Sequence, residues 1–197
     1  MKTLLTKSLK NSYTYTEYRV LVENLLADKK STSKEDSEDL VNYSKLNHSR
    51  MKRLDKTIKL SDEIIEKVES ITTPIQWIVL SEGWCGDAAQ NLPIINKIAE
   101  LNKNISFKIV LRDEHTDLMD SFLTNGGRSI PKLIQSNNDY SIIKSWGPRP
   151  TVATKMVTDF KSKNGSITPE FKKDLQLWYN KDKGLSMIDD LLSFLGL

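Results

Sequence analysis

A chain of 197 residues, 38% apolar and 28% charged, has the make-up of a soluble globular protein, with room for one domain plus extensions. Its net charge is only +3, and acidic stretches such as 34–39 are followed by basic ones such as 45–56, so no tract of the nucleic-acid-binding kind is present. One cysteine excludes an internal disulfide framework, and no apolar run approaches the roughly 18 residues of a membrane span.

The segment 1–15 has only Leu4-Leu5 where a signal peptide needs a longer apolar stretch, so a reducing, cytoplasmic setting is expected. Residues 14–29 place Tyr15, Tyr18, Val22, Leu25 and Leu26 at helical spacing, with Thr14 or Thr16 as the cap. A second helix over 35–56 carries Leu40, Tyr43, Leu46, His48, Met51 and Leu54. A third starts at Ser61 and ends before Pro74. These make an N-terminal helical extension over 1–73.

The pattern then changes. Residues 75–81 form a short, nearly continuous apolar run, as in a buried parallel strand. A helix is expected over 85–102, with Leu92, Ile95, Ile98, Ala99 and Leu101 on its apolar side. A second strand follows at 105–112 and a short helix at 114–124, stopped by Gly126-Gly127. Strands at 131–136 and 140–146, joined by Asn137-Asn138-Asp139, read as an antiparallel hairpin. A helix at about 150–162 closes a domain over 74–162. The extension 163–197 holds two more helices, the first begun by the cap Thr168 and Pro169. The fold class is α/β: a mixed four-stranded sheet flanked by helices.

The chemistry centres on Gly83-Trp84-Cys85-Gly86-Asp87-Ala88, where a strand gives way to a helix. Unpaired N–H groups at a helix start stabilise a thiolate, so Cys85 is expected to be partly exposed, with its pKa below the ordinary value of about 8.5. Gly86 permits close backbone approach, and Trp84 can cover the thiol. The plainer alternative is that Cys85 is a small core residue. Asp87 either stabilises the first turn of the helix or takes part in proton transfer; its charge would raise the thiol pKa, an effect the helix start is expected to outweigh because Asp87 can turn toward water. Glu82, three residues before Cys85, is a nearby acid or base, or a solvated loop charge. Arg112, Arg128 and Arg149 are surface arginines or holders of an anionic substrate. His48 and His115 lack metal-ligand spacing, so neither metal nor cofactor is expected.

The segment beginning Trp84-Cys85-Gly86, with Pro93 eight residues after Cys85, resembles the active-site segment of thioredoxins, W-C-G-P-C and a proline-containing helix. Ser129–Ile134 resembles the stretch that holds the family's cis-proline facing the cysteine, which implies a cis bond at Ile130–Pro131. Gly147 and the turn Leu111–His115 fit the same fold, and the resemblance covers roughly 74–162. It looks closest to a bacterial group with W-C-G-D motifs and N-terminal helices. There are departures. Ala88 stands where thioredoxin has its second cysteine, so no internal thiol can resolve a mixed disulfide. Val79 stands where the family has a buried carboxylate, and Asp87 replaces the proline.

Three readings of function stay open: a monothiol redox protein, a binding or adaptor module, and a single-thiol sensor. For the first, the resemblance implies Cys85 and Asp87 as catalytic residues. Trp84, Gly86, Ile130, Pro131, Arg112 and Arg128 would bind substrate. The partners would be a protein or low-molecular-weight thiol or disulfide and an external thiol reductant, with neither nucleic acid nor membrane involved.

Overall fold

Four helices precede the first strand in the computed structural model of the chain, which describes all 197 residues: α1 (Lys2–Leu9), α2 (Tyr15–Ala27), α3 (Glu38–Thr57) and α4 (Asp62–Glu69). Thr14, Ser37 and Ser61 cap the last three, each accepting a backbone N–H of the first turn, and Thr14 forms a reciprocal box with Glu17. The sequence gives no sign of α1. Eight residues are too few to show a period, and the helix stands on tertiary burial of Leu5 and Ser8. Tyr13, just beyond it, exchanges both backbone hydrogen bonds with Ile109, at 2.8 Å each.

α3 faces differently from expectation. Its buried stripe is Ser44, Asn47, Met51 and Leu54, while Tyr43 and Leu46 are 51% and 48% exposed. Two polar residues point inward, and the reason lies in the loop they meet, described below. α2 is tied to α3 where Arg19 and the Tyr15 hydroxyl meet Asp55.

The sheet comprises β1 (Ile75–Ser81), β2 (Ile105–Leu111), β3 (Lys132–Ser136) and β4 (Ile142–Trp146), in the order β2-β1-β3-β4. β1 pairs parallel with β2, with Val79 opposite Ile109, and antiparallel with β3, with Val79 opposite Leu133. β3 and β4 form the antiparallel hairpin. β1 is buried almost throughout, as its apolar run requires, whereas the edge strand β4 alternates between exposed and half-buried. α5 (Gly86–Glu100) follows β1, contains Pro93 and packs on α3; Leu92, Ile95 and Ile98 are fully buried. α6 (Thr116–Asp120) is only five residues long: it ends at Ser121, ahead of the Thr124–Gly127 turn that holds the glycines expected to stop it. The Ile130–Pro131 and Gly147–Pro148 peptide bonds are cis.

All these elements lie in one compact unit, Met1–Pro148; Arg149–Leu197 forms a second. The second unit holds α7 (Thr151–Asn164), α8 (Pro169–Asp182) and α9 (Leu185–Leu195). Ala153 and Val157 of α7 share a core with Phe171, Leu175 and Tyr179 of α8, and the Phe160 and Phe171 rings stack at 4.0 Å. Thr168 caps α8, accepting the Phe171 N–H at 3.2 Å. No helix is long and apolar enough to cross a membrane.

Candidate functional site

The central strand β1 ends at Ser81, and four residues later α5 begins with Cys85 as its N-cap. The Cys85 sulfur accepts the Ala88 N–H at 3.4 Å and donates to the Ile130 carbonyl at 3.3 Å. A helix start and the Pro131 loop therefore meet at one thiol. The placement is the one expected from sequence, but the accessibility is not. Cys85 is 8% exposed; the Ile130 carbonyl lies against its sulfur, and Ile130 and Pro131 are themselves buried. Trp84 and Gly86, flanking it, are half-buried.

Asp87 also departs from expectation. At 9% exposed it does not turn toward water; it sits in the first turn of α5, where a carboxylate favours the helix dipole. Ala88 and Val79 are fully enclosed.

Glu82 is the acid of this site, and it is no solvated charge. It is completely buried. One carboxyl oxygen accepts the Asp113 N–H at 3.0 Å and the other is hydrogen-bonded to the Thr32 hydroxyl. Burial pushes its pKa up from 4.5 to about 7, against the lowering effect of Thr32, the Asp113 N–H and Arg112. Its backbone carbonyl accepts the Cys85 N–H at 3.1 Å.

The N-terminal segment builds the other wall. The Thr32 hydroxyl accepts the Gly83 N–H at 3.0 Å, and the Asn47 amide donates to the Gly83 carbonyl at 3.0 Å. Asn47 in turn accepts from Arg50 at 2.8 Å. A side chain at Gly83 would press on Val22, Thr32 and Ser44, with the Val22 methyl 3.2 Å from its Cβ. Tyr18, buried in α2, faces both Glu82 and Cys85, and burial raises its pKa. The inward turn of Asn47 is thus explained, since the buried Gly83 carbonyl needs a donor; Ser44 donates to the Leu40 carbonyl of its own helix, and its small side chain lets the loop pack close.

The two arginines expected near substrate are both engaged. Arg112 pairs with Asp113 at 2.7 Å and lies over the Trp84 ring, 4.8 Å from its centre. Arg128 forms a two-pronged, half-exposed pair with Asp120, at 2.6 and 2.7 Å. Neither is left as an unneutralised cation. Lys132, directly after Pro131, is buried and reaches Thr124 at 2.6 Å and the Gly147 carbonyl at 3.4 Å. Gly147 itself passes so close that a Cβ there would lie 2.2 Å from the Pro131 carbonyl oxygen. A shallow cleft of about 380 Å³, lined by Thr14, Asn96 and Phe107 among others, contains none of these residues.

Sequence reasoning missed Thr32, Asn47 and Tyr18. A Ser-Thr-Ser run at 31–33 and polar residues on a helix face carry no signal of their own; only the fold brings them to the loop.

Comparison with known proteins agrees with this geometry. A family model described as thioredoxin matches residues 33–161, a span that takes in Asn47 and the whole Cys85 loop. Among solved structures, a protein of unknown function from Pseudomonas aeruginosa superposes with a TM-score of 0.60 at 18% identity, over 77% of this chain and 84% of that one. An HIV epitope-scaffold superposes with a TM-score of 0.57, also at 18% identity, over 79% of this chain and 90% of that one. At such identity the likeness speaks for the fold alone. No curated protein matches the chain.

Proposed function

The chain belongs to the thioredoxin family, with a thioredoxin-like fold, and on that premise we propose that Cys85 performs monothiol disulfide exchange. The observation that carries this reading is the seat of the sulfur: N-cap of α5, an N–H directed at it from Ala88, and the Ile130–Pro131 loop against it. An ionised sulfur gives up its donation to Ile130 and keeps the N–H from Ala88.

The Cys85 thiolate attacks one sulfur of a disulfide, forming a mixed disulfide; the other sulfur leaves as a thiolate and takes a proton from solvent. An external thiolate then attacks the mixed disulfide at the partner's sulfur. The partner departs joined to the external thiol, and Cys85 is released as thiolate. Ala88 supplies no resolving thiol, so the second step needs that external reductant and a reducing setting such as cytoplasm. The partner disulfide, on a protein or a small molecule, approaches past the half-buried Trp84 and Gly86. Asp87 stabilises the helix that presents the sulfur.

One observation favours a second reading. A thiol 8% exposed suits a binding module that keeps the scaffold without turnover. Intact-mass measurement after incubation with a small symmetrical disulfide separates the two. Exchange requires a one-to-one adduct on the parent chain, released by excess monothiol and absent from Cys85→Ser. A parent chain that forms no adduct leaves the binding-module reading in possession.

A further inference from the structure

The N-terminal helices and the buried acid have so far stood beside the thiol without a task. Glu82 lies in the four-residue span between β1 and α5 and is fully enclosed. Its carboxyl group touches two separate segments: the loop between α2 and α3 through Thr32, and the turn after β2 through the Asp113 N–H. Its own carbonyl receives the Cys85 N–H. We propose that Glu82 is the positioning residue of the Cys85 site: clasped by Thr32 and the Asp113 backbone, its carboxyl group sets both the seat and the local charge of the loop that carries the thiol.

The hydrogen-bond inventory makes this clasp sensitive to a proton. The Thr32 hydroxyl has one hydrogen to give and already accepts the Gly83 N–H. With Glu82 ionised, Thr32 donates to the carboxylate, and both carboxylate oxygens have a donor. With Glu82 protonated, the carboxyl group donates to Thr32 instead, and the hydroxyl hydrogen loses its acceptor. The bond reverses while the chain keeps its shape, and the charge behind the loop changes by one. Burial places this change near neutral pH.

The groups facing Glu82 from the surrounding elements are few. Tyr18 of α2 is buried and held neutral by burial. Asp113 and Arg112 come from the turn after β2, and Asp113 raises the Glu82 pKa while Arg112 lowers it. Cys85 comes from the loop itself, and α3 contributes the uncharged Ser44 and Asn47. On this proposal the Glu82 carboxylate and the Cys85 thiolate, two negative charges of one loop, oppose each other's ionisation.

This inference rests on the exchange reading, yet its test needs no turnover. The ultraviolet absorbance of the thiolate is followed against pH in the full chain, each variant being subtracted against its own Cys85→Ser background. The parent curve is expected to be broad. Glu82→Gln keeps the shape and the bonds of the protonated acid, and its curve is expected to steepen to a single step and move to lower pH by about half a pH unit to one pH unit. Thr32→Val removes the donor that favours the ionised carboxylate, holds Glu82 neutral to higher pH, and moves the thiolate curve part of the same way. That second variant reads the effect even where Glu82→Gln does not fold. Parent, Glu82→Gln and Thr32→Val curves that coincide overturn the role of Glu82. Adduct formation, measured alongside, tells the two ideas apart: an intact adduct with coincident curves sinks only Glu82, and a missing adduct with displaced curves sinks only exchange.

Discussion

Glu82→Gln also makes a thermodynamic test of the buried acid. In the folded chain burial raises the Glu82 pKa from 4.5 to about 7. The folded state thus holds this proton to higher pH than the unfolded chain does. The stability it contributes is full below about pH 4.5 and is lost as pH rises through about 7. Each pH unit between the two values is worth about 1.4 kcal/mol, so the whole loss is about 3 kcal/mol, an appreciable part of a domain's net stability. Glutamine cannot ionise and so does not incur this loss. Urea unfolding of parent and variant at about pH 5 and about pH 8 should show a stability difference that moves in the variant's favour by about 2 to 3 kcal/mol over that interval. Glu17, Glu63, Asp120 and Asp139 are exposed and have lowered pKa values, so they act with the opposite sign. They are common to both chains and cancel in the difference. A difference that stays constant with pH would refute the reasoning: Glu82 would then be ionised in the folded chain across the whole range.

Ala88→Cys places a second thiol where the Ala88 backbone already approaches the Cys85 sulfur at 3.4 Å; an internal disulfide and some dithiol reductase activity on insulin are expected, read by thiol counting and by turbidity. A parent chain that reduces insulin as fast as this variant would rule out the monothiol scheme. Gly147→Ala combines a φ of +117° with a Cβ driven to 2.2 Å from the Pro131 oxygen, so a loss of about 3 kcal/mol or more, or no soluble protein, is expected from urea titration. Wild-type stability in that variant would mean the Pro131 loop is not held as described. Asn47→Leu leaves the Gly83 carbonyl buried without its donor at a cost of about 1 to 3 kcal/mol, and Trp84 fluorescence should report a loosened loop; an unchanged unfolding midpoint would contradict this.

What the sequence disclosed and what it hid divide along a physical line. β1 was readable because a strand buried on both faces must be apolar throughout, and its observed bounds are those of the run 75–81. Thr168 and Pro169 marked the start of α8 because a cap acts only on the turn beside it. Cys85 at the start of α5 was readable for the same local reason. The burial of Glu82 was not, since its partners Thr32 and Asp113 lie 50 and 31 residues away. Nor was the face of α3: hydrophobic period favours Tyr43 and Leu46 inward, but the loop at Gly83 carries a buried carbonyl, and satisfying it turns Asn47 in instead. An apolar residue contributes wherever it is buried, so its pattern is written locally. A buried polar group is stable only opposite a particular partner, and where that partner is distant in the chain the pairing is set by the fold. The Cys85 site is made of such pairings, which is why its thiol was visible in the sequence and the walls around it were not.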